Sequence, residues 1–271
     1  MSKQIDLAAA AALVPDGARV AFGGGGALWR RPMELCRALI RRGATGLHVH
    51  HFIGGIEIDL LVGAGAVAST NCAYLGMLEH GQAPAFQRAI REGLEVNEYS
   101  EFMLSAALRA ADLGLPFIPW RTPWGSELVE HLKLKTVADP YSDEVLIAVP
   151  AMNLDVAVIH VDRADADGFV ELPDEPDLVW DYDYLIARVA KTTIVCAEEV
   201  APIRDPARVA VIGREVAAVV ATPGGAWPTG SHPRYEPDVE HVRGVYQPAA
   251  KAGGEAWDAY VAEHVLEPRN G

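Results

Sequence analysis

Four consecutive glycines, Gly23 to Gly26, stand between the apolar run Ala18-Arg-Val-Ala-Phe22 and the segment Ala27-Leu-Trp-Arg-Arg-Pro32. Glycine has no Cβ, so such a run can take left-handed backbone angles and bring several N–H groups against one ligand oxygen. Pro32 suits the first turn of a following helix that ends at Gly43. The N-terminus of that helix adds partial positive charge, and Arg30 and Arg31 add two full charges beside it. A phosphate or a developing oxyanion fits such a site. The same residues also read as a flexible strand-to-helix turn with two solvated arginines, and composition alone does not separate the two.

Glu101 is the carboxylate whose place invites chemistry. Ser100 is a good N-cap for the segment from Glu101 to Asp112, and Gly114 closes it. In open α/β sheets ligands gather at the carboxyl ends of strands, so Glu101 could face the same crevice as the glycine loop. The positive end of a helix favours an ionised carboxylate, which suits a nucleophile or proton acceptor better than a general acid. Glutamate is also favoured in a first turn by the helix dipole alone, by a few tenths to about 1 kcal/mol. Glu98, just before it, is a weaker candidate of the same kind.

Other constellations fall away. No Gly-Lys-Ser or Gly-Lys-Thr follows the glycines, so the lysine and hydroxyl of a P-loop are missing. A dinucleotide fingerprint would need a small residue at Leu28 or Trp29, and the run Leu47 to Ile53 ends without the acidic residue that holds a ribose. The stretch Asp162 to Gly168 imitates a calcium loop, but Arg163 occupies its first ligand position and Asp174 its twelfth, so it reads as a hairpin turn. His48 and His50 share a strand face without a carboxylate or cysteine partner at metal-ligand spacing, so no metal is expected. Cys72 reads as a buried small residue rather than a reactive thiolate.

The elements that must position these groups alternate along the chain. Strands are expected at Val20 to Gly23, Leu47 to Ile53, Val67 to Cys72, Leu94 to Glu98, Val145 to Val149, Val156 to Val161, Thr193 to Ala197 and Val216 to Ala221. Helices are expected at Gln4 to Val14, Met33 to Arg42, Ala83 to Glu92, Glu101 to Asp112, Tyr182 to Ala190 and Glu255 to Leu266. This pattern predicts an α/β fold with an open, largely parallel sheet and helices on both faces. Asp16-Gly17, Asp167-Gly168 and Gly224-Gly225 read as turns, and Leu172 to Asp183, rich in Pro and Asp, as an exposed acidic loop. Trp257, Tyr260, Val261 and Val265 form one stripe, so the last helix should dock on the body.

With 271 residues the chain is long enough for one large domain spanning 1–271, and no repeat or linker divides it. A formal charge of −14 argues against nucleic acid as a partner. No run of eighteen apolar residues suggests a membrane span, and Asp6 interrupts any signal-like core. Three widely spaced cysteines, Cys36, Cys72 and Cys196, suit a reducing compartment, so a cytoplasmic protein is expected.

Taken in order, several segments resemble the A subunit of the family I coenzyme A transferases, of the glutaconate CoA-transferase type. They are Val20-Ala-Phe-Gly-Gly-Gly-Gly26 with Arg30-Arg31-Pro32; Val96-Asn-Glu-Tyr-Ser-Glu101 leading to Leu108 through Pro119; Val149-Pro-Ala-Met-Asn-Leu-Asp-Val-Ala-Val-Ile-His160 with Asp167-Gly168; Ala190 to Val195 with Glu198-Glu199; and Pro223-Gly-Gly-Ala-Trp-Pro-Thr229. The resemblance implies a CoA-transferase, NagB/RpiA-like fold and an active site at the junction with a similar B subunit, in an AB or A2B2 assembly. It implies an acyl-CoA and a small carboxylic acid as substrates, with no tightly bound cofactor. The glutamate that attacks the thioester normally lies on the B subunit, so this chain would be half an enzyme. Gly23, Gly24, Gly25 and Gly26 would then stabilise the oxyanion, a contribution of roughly 3 to 4 kcal/mol per donor in known cases. Arg30 or Arg31 would alternatively hold a substrate carboxylate.

One departure opens an alternative. Transferase A subunits of this type often carry Gln at the position of Glu101, whereas a branch of CoA-thioester ring hydrolases from steroid catabolism resembles this chain in carrying Glu there. In that branch the A-subunit glutamate is implicated in water-dependent C–C cleavage. A decarboxylase branch shares the Pro223-Gly-Gly-Ala226 segment. A hydrolase or lyase using Glu101 as base, and a non-catalytic acyl-CoA-binding subunit, therefore stand beside the transferase reading.

Overall fold

Val20 and Phe22 pack on one side of their strand and Ala21 on the other, the period-two pattern of a sheet buried on both faces. The computed structural model describes residues 2–121, 125–176 and 180–267. In chain order α1 (Leu7–Ala12), β1 (Arg19–Phe22), α2 (Met33–Arg42), β2 (Leu47–Gly54), α3 (Ile56–Gly63), β3 (Val67–Leu75), α4 (Pro84–Arg91), β4 (Glu95–Glu98) and α5 (Glu101–Asp112) alternate. They are followed by β5 (Phe117–Trp120), α6 (Leu128–His131), β6 (Lys135–Ala138), β7 (Val145–Pro150), β8 (Val156–Ala164) and β9 (Val170–Glu171). Then come α7 (Trp180–Val189), β10 (Thr192–Val200), β11 (Val209–Val211) and β12 (Ala218–Ala221), followed by helical turns between Val239 and Leu266.

Strands β12, β10, β8, β1, β2, β3 and β4 are neighbours in that order, and every one of these pairings is parallel. The carboxyl ends of β1 and β4, from which the glycine loop and Glu101 emerge, thus lie along one edge of the sheet. Strand β8 runs six residues past its last pairing with β1, Phe22 to Val158, and there pairs with β9 instead. The glycine loop leaves the sheet at this fork. On one face α1, α2, α3 and α4 bury Ala10, Leu35, Leu39, Ile58 and Phe86 against Val20, Phe22 and Val158. On the other, α5 and α7 bury Leu104, Leu108 and Ile186 against Ala21, Ile159 and Val195.

All eight expected strands and six expected helices form, with differences at their ends. Strand β7, expected in the parallel sheet, is instead the centre of a separate antiparallel sheet, β5-β7-β6. An apolar run reports burial, not its neighbours, and the two flanking strands are half-exposed, with Pro119 on an edge where a missing N–H costs nothing. The stretch Asp162 to Gly168 forms the β8–β9 hairpin, with Gly168 at φ +92°. The expected exposed acidic loop from Leu172 to Asp183 is corrected in its last part. Residues 177–179 lie outside the described chain, α7 begins at Trp180, and Asp183 is fully buried.

The C-terminal turns dock as the apolar stripe requires. Trp257, Tyr260 and Val265 are buried against Leu60, Met33 and Tyr246, and Trp257 Nε1 donates to Gly63 O at 2.9 Å. Beneath them lies Asp59, fully buried in the first turn of α3, accepting from Phe86 N and from Tyr246 Oη, each at 2.7 Å. Among the described residues no helix is long and apolar enough to cross a membrane, and Cys36, Cys72 and Cys196 are free and buried.

Burial raises the Asp59 pKa to about 6, against the lowering effect of those two donors. A carboxyl whose folded pKa is raised contributes stability that is complete below its ordinary value near 4 and is lost as pH rises through about 6. Asn at this position cannot ionise. Unfolding measurements between pH 4 and 8 should therefore show D59N gaining on the wild type as pH rises, by up to about 1.4 kcal/mol per pH unit; parallel profiles would refute a raised pKa.

Candidate active site

The first two glycines are required by a carboxylate of the chain itself. A Cβ on Gly23 would lie 2.1 Å from Asp183 Oδ1 and 2.9 Å from Ile159 Cγ2. The Gly24 N–H donates to Asp183 Oδ1 at 2.8 Å, and Gly24 holds φ +132°, a conformation that side chains rarely adopt. Asp183 Oδ2 forms a close ion pair with the Arg30 guanidinium, and both groups are fully buried. Arg30 itself sits at φ +52°, the left-handed region where a non-glycine residue is strained. Its backbone N–H donates to Gly230 O at 2.8 Å, which ties the far leg of the loop to the 223–235 segment.

Arg31 also turns inward. Its guanidinium donates to Gly23 O at 3.1 Å and Ile53 O at 2.6 Å, and lies 3.2 Å from Glu57 Oε1. Glu57 in turn accepts from Gly55 N, so one buried arginine joins the ends of β1 and β2 to the start of α3. Burial raises the Glu57 pKa, with Arg31 and the backbone donors opposing it. His51, fully buried nearby, is pushed down to about 3, by burial first and then by the Arg31 charge, so it stays neutral at physiological pH. Behind the loop His160 Nε2 lies 2.7 Å from Glu198 Oε1, and Glu198 also accepts from Gly224 N at 2.7 Å and from Tyr235 Oη. Burial works against the Glu198 charge, but these bonds outweigh it and hold the carboxyl below its ordinary value.

The loop's donors divide accordingly. Gly23 N–H bonds to Val158 O, Gly24 N–H to Asp183 and Gly25 N–H to Trp29 O. Gly26 N–H has no acceptor among the described residues, and a Cβ added to Gly26 would meet nothing within 4 Å. Gly26 is thus the part of the loop that faces open space, at φ +61°.

Glu101 lies elsewhere on the same edge. It is exposed in the first turn of α5, whose cap Ser100 accepts from Met103 N at 3.2 Å, and it makes no ion pair among the described residues. Three inter-strand steps separate β1 from β4, about 14 Å at the usual spacing. Beside it, Phe102, Pro119, Trp120, Arg121 and Leu146 line an open, mainly apolar groove of about 440 Å³. The structure therefore brings Gly23 to Gly26, Arg30 and Arg31 together, with both guanidinium groups turned away from solvent, and keeps Glu101 apart. Among the described residues no group of three or more His, Cys, Asp or Glu could hold a metal.

Sequence reasoning missed Asp183, Glu57 and the His160–Glu198–Tyr235 set. Asp183 was hidden by its acidic surroundings, which read as a solvated loop. Glu57 and Asp59 carried a usable signal, because two acids in the first turn after Gly54-Gly55 mark a helix start.

The coenzyme A transferase family model matches residues 5–221. A protein of Archaeoglobus fulgidus is 36% identical over 84% of this chain, which spans 52% of that protein, about half its length. The cholesterol ring-cleaving hydrolase IpdA subunit of Rhodococcus jostii is 33% identical, the match covering 97% of this chain and 92% of that one. Among solved structures, glutaconate coenzyme A-transferase from Acidaminococcus fermentans superposes with a TM-score of 0.89 at 29% identity, over 99% of this chain and 90% of that one. A variant of the decarboxylase AibA/AibB gives 0.84 at 30% identity, over 97% and 100%.

Two glycines of one loop should respond differently to alanine. G23A forces a methyl group into the Asp183–Arg30 pair, and breaking a buried pair costs about 3–5 kcal/mol. G26A meets no atom and bears only the left-handed backbone penalty of about 1–2 kcal/mol. Chemical denaturation should rank them in that order; equal losses would contradict the placement of Asp183.

Proposed function

This chain belongs to the coenzyme A transferase family, and from that premise we propose that it is the A subunit of a two-subunit CoA-transferase. It would move CoA between an acyl-CoA and a carboxylic acid, with the outward turn at Gly26 as the oxyanion site. The observation that carries this reading is the state of the carboxylates around the loop. Asp183 is paired with Arg30, Glu57 with Arg31, and Glu198 with His160 and Tyr235. None is free to attack a carbonyl. Glu101 stands about three strands away. A nucleophile for a thioester held at Gly26 would then come from outside the chain, as it does if a B subunit supplies the glutamate.

In that arrangement the partner's carboxylate attacks the thioester carbonyl, and the carbonyl oxygen becomes negative beside the Gly26 N–H. Collapse expels CoA thiolate and leaves a glutamyl anhydride. CoA thiolate then forms a glutamyl thioester and releases the first acid, and the acceptor acid takes CoA by the reverse steps. Each half passes through one oxyanion on the acyl carbonyl, where the Gly26 N–H would serve, and a second on the glutamyl carbonyl. Localisation in the cytoplasm and an AB or A2B2 assembly accompany this proposal.

A second reading rests on Glu101. Its exposure, its lack of an ion pair among the described residues and the apolar groove beside it suit a base acting on a bulky apolar acyl-CoA. Likeness to the ring-cleaving hydrolase subunit and to the decarboxylase supports that alternative.

Reconstitution with a candidate B subunit separates the readings. Transfer predicts acyl-CoA turnover that requires an acceptor carboxylate and survives E101Q nearly intact. Acceptor-independent turnover that incorporates solvent oxygen, with E101Q slower by roughly 100-fold or more, would establish the hydrolase reading instead. Binding of acyl-CoA without turnover would contradict both.

A further inference from the structure

We propose that Asp183 is a positioning residue for the glycine loop. Its carboxylate occupies the anion position that Gly23, Gly24 and Arg30 create, and so leaves Gly26 as the donor presented to substrate. The inference rests on the reading of that loop as the oxyanion site and adds to it a residue outside the loop that sets the donor's direction.

Three independent contacts converge on this one side chain. Oδ1 accepts the Gly24 N–H at 2.8 Å. Oδ2 holds the Arg30 guanidinium. The space that a Gly23 side chain would fill is taken by the carboxylate itself. These contacts grip the loop at both legs, one on each side of the Gly26 turn. Arg30 in its left-handed conformation is bound through its side chain to Asp183 and through its N–H to Gly230. Such strain persists only where surrounding contacts over-determine it, and here the contacts are these.

Asp183 is carried by α7, which packs Ile186 and Ala187 into the core against Ile159 and Val195. The loop is thus referenced to the body of the sheet rather than to its own turn. Two neighbouring described groups are committed elsewhere, Arg31 to Glu57 and the loop carbonyl of Gly23, and Glu198 to His160 and Tyr235.

The test is D183N, which keeps the side-chain shape and an acceptor for Gly24 N–H but gives Arg30 no charge. Amide hydrogen exchange of the peptide covering 23–31 is read on this chain, and kcat and KM for an acyl-CoA on the reconstituted two-chain enzyme. Loop exchange should quicken about tenfold or more. The kcat should fall by about 10- to 100-fold with KM little changed, the pattern of a donor displaced from a transition state. If D183N does not accumulate folded, R30K, which keeps the charge and loses the planar fork, should show both changes at smaller size.

Unchanged loop exchange in the folded variant overturns the clamp whatever the activity. Faster exchange with wild-type kcat overturns the positioning role and leaves only an architectural one. A wild-type complex that turns over no acyl-CoA refutes instead the reading of the loop as a catalytic site, and the exchange data still decide the clamp.

Discussion

The burial of Asp183 against Arg30 at the carboxyl end of the parallel strands is the constraint on which the rest of the site depends. A carboxylate taken out of water loses several kcal/mol of hydration, and its place is tenable only with a partner charge and hydrogen bonds on its remaining lone pairs. Arg30 supplies the charge and Gly24 N–H a bond. Two glycines follow from that, since at Gly23 there is no room for a side chain and at Gly24 the backbone takes an angle that suits none. What reads as a cradle for a foreign anion is, over half its length, a cradle for one that the fold brings itself.

The second arginine extends the same logic sideways. Arg31 gathers Gly23 O, Ile53 O and Glu57 into one buried knot, with neutral His51 beside it. Two strand ends and a helix start are locked together without exposed charge, although the chain as a whole is strongly acidic. The outcome is a rim whose two arginine side chains are turned inward. Such a surface can stabilise developing negative charge when its donors are fixed before the reaction begins, yet the described carboxylates around it, Asp183, Glu57 and Glu198, are all paired. An incomplete site of this sort is what one half of a two-chain enzyme would have.

Much of the scaffold was legible from sequence. Helix α2 runs from Met33 to Arg42 with Gly43 in a left-handed cap, and α5 from Glu101 to Asp112 under Ser100. Caps and apolar periodicity are local, so they survive without knowledge of the fold. The partners of β7 were not legible, because pairing is decided by residues far along the chain. Nor was the inward turn of Arg30 and Arg31. An arginine beside a glycine run has the same sequence whether it faces solvent or a carboxylate far along the chain, and Asp183 sits in a stretch whose composition suggests water on every side. The four glycines announced a close approach; only the tertiary structure shows that the approaching group is the chain's own.

The central claim is that the loop is held from within and leaves the Gly26 N–H, which has no acceptor among the described residues, for the reacting oxygen. A crystal structure of the two-chain complex with a non-reactive acyl-CoA analogue, its thioester sulfur replaced by a methylene group, tests this most directly. The account predicts the analogue's carbonyl oxygen within hydrogen-bond distance of Gly26 N, about 2.7–3.2 Å, with Asp183 still bound to Gly24 and Arg30. A carbonyl oxygen lodged beside Glu101, three strands away, or an Asp183 displaced by the ligand, would contradict it.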